Sequence, residues 1–326
     1  MIVPERLDMR SILFAALLVS GGGTSVSQAD EPRVSLSEVA RPWFSVGVGV
    51  DVDVFERPDD LELLAAHFGT VTPENGMKVE RVQRLEGQFE FTAADRFVEL
   101  ATARDLRIVG HCLVWARDEN TRAWFFRDGD EDASPELLLR RMQTHIETVV
   151  SRYKGRVAAW DVVNEALADG ESEYLRDSGW SRALGDEFLV KAFEYAHAAD
   201  PEALLIYNDY LCETDEKREK LLRLVRMLQA RGAPIHAVGL QGHYELDAIP
   251  YEGLEKTLEA IRDLGLKAVI SELDVDAIPR ARWWADDARY REELSSLDPY
   301  RDGCPPEVLQ RQAEQYARLF AVLRKH

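Results

Sequence analysis

Two short segments of the chain place a glutamate directly after an apolar, β-branched run. The first is Trp-Asp-Val-Val-Asn-Glu at 160–165, and the second is Val-Ile-Ser-Glu at 269–272. Runs of this composition predict buried strands. Burying an unpaired charge is costly, so a carboxylate at the end of a buried strand indicates that this carboxylate has a function. Glu165 and Glu272 therefore predict a pair of carboxylates in one pocket, which is what cleavage of a glycosidic bond requires.

Polar and aromatic side chains also lie at or just beyond the ends of the predicted strands. Amides and charged groups hydrogen-bond to hydroxyls, while a tryptophan offers a flat apolar face to a sugar ring. A site lined by such groups favours a hydroxyl-rich ligand. Besides the two glutamates, the residues at these positions are Glu74, Asn75, Lys78, His111, Trp115, Asn164, Gln241, His243 and Asp274.

The elements that must position these residues alternate along the chain. Apolar runs predict strands at 44–50, 70–72, 106–112, 157–163, 204–208, 236–240 and 267–271. Amphipathic stretches predict helices at 93–103, 135–153, 187–199, 215–231, 252–264 and 306–324. This alternation is typical of a parallel sheet covered by helices. Seven strands without a glycine-rich phosphate-binding turn favour a barrel, in which function lies at the carboxyl ends of the strands.

The composition excludes several classes of partner. The chain has 326 residues, of which 59 are acidic and 40 basic, and its formal net charge is −19. Nucleic acids and anionic membrane surfaces both require basic patches, so we expect neither as a partner. The length and the hydrophobic fraction of 46% suffice for the core of one barrel. We expect a monomer that binds a neutral polymer.

The N-terminus predicts an exported protein. Arg6 and Arg10 precede the apolar run 12–19, and small residues follow that run. This is the pattern of a cleaved signal peptide, and the run is too short to span a membrane. We therefore expect a signal peptide at 1–29 and a lead-in segment at 30–43. A disordered tail or a buried N-terminal helix is the alternative interpretation.

The cysteines predict neither a disulfide framework nor a metal site. They are Cys112, Cys212 and Cys304, an odd and sparse set without the spacing of metal ligands. Cys112 lies within an apolar run and is predicted to be a small core residue. We expect no metal and no cofactor.

Six motifs in a fixed order resemble those of a known family. They are TPENGMK at 72–78, GHCLVW at 110–115, WDVVNEAL at 160–167, YNDY at 207–210, GLQGH at 239–243 and ISELDV at 270–275. The chain thus resembles glycoside hydrolase family 10, the retaining endo-β-1,4-xylanases. The resemblance covers residues 44–326, the predicted catalytic barrel, and implies a (β/α)8 TIM-type fold.

The resemblance implies a role for each of the residues above. Glu165 would be the general acid/base and Glu272 the nucleophile. Asn164 matches the residue that hydrogen-bonds to the sugar 2-hydroxyl, while His243 and Asp274 match residues that keep the nucleophile ionised and aimed. The positions that match the lining of the glycone subsites are Glu74, Asn75, Lys78, His111, Trp115 and Gln241.

The sequence departs from the family pattern in two places. Ala116 stands where many relatives have histidine, which removes a donor near the glycone subsites. Relatives have an eighth strand with a Trp-Gly motif after the helix at 306–324, and no counterpart follows here. We therefore expect an α/β protein, a TIM-type barrel lacking its last β/α unit. Trp283 and Trp284 precede that helix, so they are not equivalents of the missing tryptophans.

Several alternatives remain open at this point. The chain could be a retaining endo-β-1,4-xylanase, an inactive or unstable fragment that at most binds xylo-oligosaccharides, or an endo-β-1,4-glucanase of the same fold. Among single residues, Asp274 could be only an ion-pair partner, His243 a core histidine, and Trp115 a core residue.

Overall fold

Strands and helices alternate along the chain in the computed structural model, which describes residues 34–170, 172–278, 299–300 and 302–326. The strands are β1 (Gly47–Val50), β2 (Thr70–Pro73), β3 (Arg107–Gly110), β4 (Val114–Trp115), β5 (Arg127–Asp128), β6 (Glu131–Asp132), β7 (Ala159–Asn164), β8 (Leu204–Asp209), β9 (Ala237–Leu240), β10 (His243–Glu245), β11 (Lys267–Ile270) and β12 (Asp274–Asp276). The helices are α1 (Leu36–Ala40), α2 (Pro58–His67), α3 (Val79–Val82), α4 (Thr92–Thr102), α5 (Pro135–Arg152), α6 (Gly179–Leu184), α7 (Glu187–Ala199), α8 (Asp215–Ala230), α9 (Tyr251–Asp263) and α10 (Pro306–Leu323).

Seven strands form one parallel sheet that curls into a half-barrel. Their order is β1-β2-β3-β7-β8-β9-β11, and β4 pairs with β7 beyond the end of β3. Each of the seven predicted strands overlaps one of these strands, and the six predicted helices match the observed bounds to within one residue. The predicted α/β class and barrel architecture are therefore confirmed.

The helix bounds follow from local capping chemistry. Ser134 accepts a hydrogen bond from the Leu137 N–H at 3.2 Å, and Pro135 occupies the first position of α5. At α8, Thr214 accepts from the Lys217 N–H at 3.3 Å. Such caps satisfy N–H groups that have no partner inside the helix. Both helices therefore begin at the residue that the amphipathic pattern predicted.

The core lies on both faces of the sheet. Towards the helices, Trp160 and its neighbours on adjacent strands join the main hydrophobic cluster. On the opposite face, Ala159, Ile206 and Ala237 form a small second cluster on three neighbouring strands. All six residues of β7 are buried, so its side chains contact protein on both faces. This explains the continuous apolar character of the strand that leads to Glu165.

The acidic segment 128–132 is exposed to solvent. It forms the turn of an antiparallel hairpin between β5 and β6, with Arg127 opposite Asp132. Gly129 has φ of +62°, a left-handed conformation that glycine adopts without steric cost. The four strand residues are exposed, as expected for charged side chains.

Several sequence expectations lie outside the described residues. These are the signal peptide at 1–29 and the pair Trp283 and Trp284. Within the part of the chain that the structure describes, no helix has the length and apolar character needed to cross a bilayer.

Replacing Gly110 by alanine tests the close packing of β3 against β7. An added Cβ would lie 2.2 Å from Cε3 and Cζ3 of Trp160, which is 1% exposed. We expect the free energy of unfolding to fall by about 3 kcal/mol, because an overpacked core forces side chains and backbone to shift. Urea unfolding followed by circular dichroism measures the change. The control is Gly49→Ala, where an added Cβ meets nothing within 4 Å; equal losses in the two variants would contradict the packing argument.

Candidate active site

The two glutamates lie at the carboxyl edge of the sheet on strands that do not pair with each other. Glu165 directly follows β7, and Glu272 comes two residues after the end of β11. The strands β8 and β9 lie between them. Glu165 has φ of +58°, an uncommon conformation for a residue with a side chain, and such strain is concentrated at functional sites. The sequence thus predicted correctly that both glutamates share one edge.

Three buried amide side chains connect the two carboxylates. Asn208 Nδ2 donates to Glu272 Oε1 at 2.8 Å and to Asn164 Oδ1 at 2.9 Å. Gln241 Nε2 donates to Glu165 Oε1 at 3.1 Å and lies 3.4 Å from Asn164 Oδ1. Each of the three amides is at most 2% exposed. A network of buried hydrogen bonds therefore sets the position of each carboxylate relative to the other.

Space for the central amide depends on a glycine in the neighbouring strand. Asn208 on β8 lies opposite Gly239 on β9. A Cβ on Gly239 would lie 2.3 Å from Asn208 Oδ1. Any larger residue would therefore displace the amide that touches Glu272.

His243 and Asp274 hold Glu272 in an ionised state. They lie opposite each other in the parallel pair of β10 and β12. The imidazole is 3.1 Å from Glu272 Oε2 through Nε2 and 3.0 Å from Asp274 Oδ2 through Nδ1. Burial alone would lower the pKa of His243, but hydrogen bonds to the two carboxylates raise it to about 9. A cation at this position favours an ionised Glu272.

His111 contributes a second positive charge near Glu272. Its Nδ1 lies 2.8 Å from Asp161 Oδ2, and both side chains are buried. Burial acts to lower the pKa of His111, but Asp161 outweighs it and the pKa is raised. Burial acts to raise the pKa of Glu272, yet its hydrogen bond from His243 and the charges of both histidines lower it. Glu272, which the sequence predicts to be the nucleophile, is thus kept in its ionised form.

Three further predicted residues contact one another near the ends of β2 and β4, and a fourth, Glu74, lies beside them in the sequence. Asn75 donates to Asp51 Oδ2 at 2.7 Å through its side chain and accepts from Lys78 Nζ at 3.2 Å. The Lys78 ammonium lies 5.1 Å from the centre of the half-buried Trp115 ring. Glu74 follows β2 and is exposed. These contacts bring Asn75, Lys78 and Trp115 together.

Four residues that contact this site were given no role from the sequence, although Asn208 stands at the end of a predicted strand. They are Asp51, Arg117, Asp161 and Asn208, which bind Asn75, Glu165, His111 and Glu272 respectively. Asp161 and Asn208 lie inside the WDVVNEAL and YNDY motifs, so a search of every polar residue in those motifs would have found them. Asp51 and Arg117 lie in loops, where spacing carries no comparable signal.

A curled parallel sheet with two carboxylates of different surroundings at its carboxyl edge defines a class of protein. One carboxylate is held charged by histidines, and the other is reached by amides and a guanidinium. This is the arrangement of a glycoside hydrolase built on a (β/α)8-type barrel.

The chain belongs to glycosyl hydrolase family 10, whose model matches residues 35–326. It is 38% identical over 300 residues to endo-1,4-beta-xylanase A of Caldicellulosiruptor sp. (strain Rt8B.4), covering 90% of this chain and 41% of that protein, so it spans less than half of that relative. It is 40% identical over 269 residues to endo-1,4-beta-xylanase B of Paenibacillus barcinonensis, covering 82% of this chain and 80% of that protein. A similar solved structure, a mutant in complex with xylotriose, has a TM-score of 0.80 and 34% identity, covering 90% of this chain and 84% of that one. The family resemblance found in the sequence is confirmed.

The ionisation of His243 predicts how stability changes with pH. The pKa of His243 is about 9 in the folded protein, against about 6.5 for an unperturbed histidine, so its contribution to stability is complete below pH 6.5 and is lost as the pH rises through 9. We expect this contribution to amount to at most about 3 kcal/mol. Urea unfolding at pH 6 to 9.5 measures it, with His243→Asn for comparison. The wild type should lose stability more steeply than the variant over this range; parallel curves would contradict the expectation.

Proposed function

We propose that this protein is a retaining endo-β-1,4-xylanase in which Glu272 is the nucleophile and Glu165 the general acid/base. The observation that carries the proposal is the difference between the two carboxylates. Glu272 contacts His243 and is kept ionised, as a nucleophile must be. Glu165 lies across the amide network, 7% exposed at its side chain, where a proton donor to the leaving oxygen would be shielded from water.

The first chemical step forms a covalent glycosyl-enzyme. Glu165 gives its proton to the glycosidic oxygen while the Glu272 carboxylate bonds to the anomeric carbon and the glycosidic bond breaks. Asn164 is the last residue of β7, directly before Glu165, and we propose that its amide hydrogen-bonds to the sugar 2-hydroxyl. Such a contact strengthens in the oxocarbenium-like transition state.

The second step releases the sugar with its configuration retained. Glu165, now ionised, takes a proton from water as the water oxygen bonds to the anomeric carbon. The bond to Glu272 breaks and its electron pair returns to that carboxylate. His243 then stabilises the restored negative charge, because it is 3.1 Å from Glu272 Oε2.

The proposed substrate is the interior of a β-1,4-xylan chain. The named relatives are endo-xylanases, and one similar structure holds xylotriose. The wall formed by Asn75, Lys78 and Trp115 presents amide, ammonium and aromatic groups, which suit hydroxyls and a ring face. Glu74, His111 and Gln241 are proposed to complete the glycone side.

Alanine variants of the two glutamates test this assignment. We expect Glu272→Ala and Glu165→Ala each to release reducing sugar from xylan at below about one-thousandth of the wild-type rate, because each residue acts in both steps. The matched control is Glu202→Ala, an exposed glutamate away from the site, which should keep wild-type activity.

The outcome also separates the alternatives. Proton NMR of the first product should show the β-anomer, whereas an α-anomer would overturn retention. Faster hydrolysis of carboxymethylcellulose than of xylan would favour the glucanase. A folded wild-type chain that binds xylo-oligosaccharides without cleaving them would overturn the enzymatic proposal.

We also propose that the protein is exported and that residues 1–29 are removed. The support is the order of the segments: basic residues, then the apolar run 12–19, then small residues. Expression in a bacterial host followed by N-terminal sequencing of the exported product should give Asp30 as the first residue. A product that keeps the apolar run would contradict the proposal.

A further inference from the structure

The YNDY motif at 207–210 supplies Asn208 to the amide network, but two other residues of the motif have no role in the steps above. On β8, Tyr207 and Asp209 alternate with Asn208, so their side chains extend from the opposite face of the sheet. Both residues are 0% exposed. A carboxylate is rarely buried so completely, because its burial is costly unless both oxygens are paired.

Both side chains bind the backbone that directly follows Glu165. Tyr207 Oη accepts a hydrogen bond from the Ala166 N–H at 3.2 Å. Asp209 Oδ2 accepts from the Leu167 N–H at 3.2 Å and from Tyr207 Oη at 2.5 Å. The hydroxyl and the carboxylate therefore act together as acceptors for two consecutive N–H groups.

A buried lysine on α8 contacts the same carboxylate and the same stretch of backbone. Lys217 is 4% exposed, and its Nζ lies 3.3 Å from Asp209 Oδ1. It also donates to the Leu167 carbonyl oxygen at 3.2 Å. A buried ion pair adds little net stability, because desolvation opposes the attraction between the charges. The shared contact with Leu167 indicates instead that the pair fixes the position of the backbone.

The backbone of Glu165 is strained and requires such support. Its φ of +58° is left-handed, which costs a residue with a side chain about 1–2 kcal/mol. Such conformations persist only where the surrounding structure over-determines them. Besides the two N–H groups that follow it, the carbonyl oxygen of Glu165 is bound by Arg176 Nε at 3.0 Å. Release of the two N–H groups would allow φ of Glu165 to relax, which would move its carboxyl group.

We propose that Tyr207 and Asp209 are positioning residues, which orient the Glu165 carboxyl group by fixing the backbone that follows it. The inference rests on the proposed retaining function. In the first step the proton passes from Glu165 to the glycosidic oxygen as the glycosidic bond breaks and Glu272 bonds to the anomeric carbon. Tyr207 and Asp209 neither give nor take a proton.

The variant Tyr207→Phe tests the proposal with two substrates. It removes the acceptor of the Ala166 N–H with little change in side-chain volume. For xylohexaose, whose leaving oxygen needs a proton, we expect kcat/KM to fall at least about tenfold, because a displaced catalytic group loses much of its effect. For 2,4-dinitrophenyl β-xylobioside, whose leaving group needs no proton, kcat/KM should stay within about twofold of the wild type.

The value of kcat on the aryl substrate is a second readout. The first step is fast with this leaving group, so kcat is limited by the second step, in which Glu165 takes a proton from water. A displaced Glu165 slows that step, so kcat and KM should both fall about tenfold. General damage to the site would instead lower kcat/KM on both substrates.

The matched control is Tyr153→Phe, which removes another buried hydroxyl that binds an aspartate. Tyr153 is 0% exposed, and its Oη donates to Asp95 Oδ1 at 3.0 Å. It precedes β7, at the opposite edge of the sheet from Glu165, so this variant should change neither readout. If Tyr207→Phe does not fold, Asp209→Asn carries the same expectations, because an amide accepts through one oxygen only and loses part of these contacts.

The outcomes distinguish this inference from the function on which it rests. A wild-type chain that inverts or cleaves nothing overturns the proposed function. If the wild type retains, an unchanged kcat/KM of Tyr207→Phe on xylohexaose overturns the inference. An equal loss of kcat/KM on both substrates also overturns it, because a merely structural role of the hydroxyl would produce that result.

Discussion

The separation of the two glutamates by two strands is the constraint on which the site depends. Glu165 and Glu272 extend from β7 and β11, and the side chains that link them come from the strands between, Asn208 on β8 and Gln241 after β9. The distance between the carboxylates is therefore set by backbone hydrogen bonds across four strands rather than by loops. The strand β7 and the two strands between the glutamates each pair with a neighbour on both sides, and β11 pairs with β9. The two carboxylates thus extend from paired strands of the sheet rather than from long loops.

Charge pairing gives the two carboxylates different surroundings. Both lie where burial disfavours a free charge, and each has its own cation. Glu272 has His243, itself oriented by Asp274, while Glu165 has Arg117, itself fixed by Tyr210. The histidine can lose its proton in the range where enzymes work, and the guanidinium cannot. The positive charge of His243 beside Glu272 therefore depends on pH, whereas the positive charge of Arg117 beside Glu165 does not.

Close packing beneath the site limits which residues the sheet can carry. Gly110 gives room to the Trp160 ring on one face, and Gly239 gives room to the Asn208 amide at the edge. Both glycines lie in strands, where glycine is intrinsically unfavourable, so their presence is explained by the neighbouring side chain. The packing of the core and the position of the amide network thus both depend on a side chain that lies directly against a glycine backbone.

The sequence by itself determined the elements and the edge at which they meet. Apolar periodicity located the seven strands and six helices, since burial on one or both faces leaves a local pattern. It also placed Glu165 and Glu272 together, because parallel strands of one sheet end at the same edge. Only the tertiary structure decided that Arg117 contacts Glu165 and that Asn208 contacts Glu272, residues 48 and 64 positions apart. Such contacts depend on loop paths and side-chain rotamers, which are selected by the packed neighbours and leave no period in the chain.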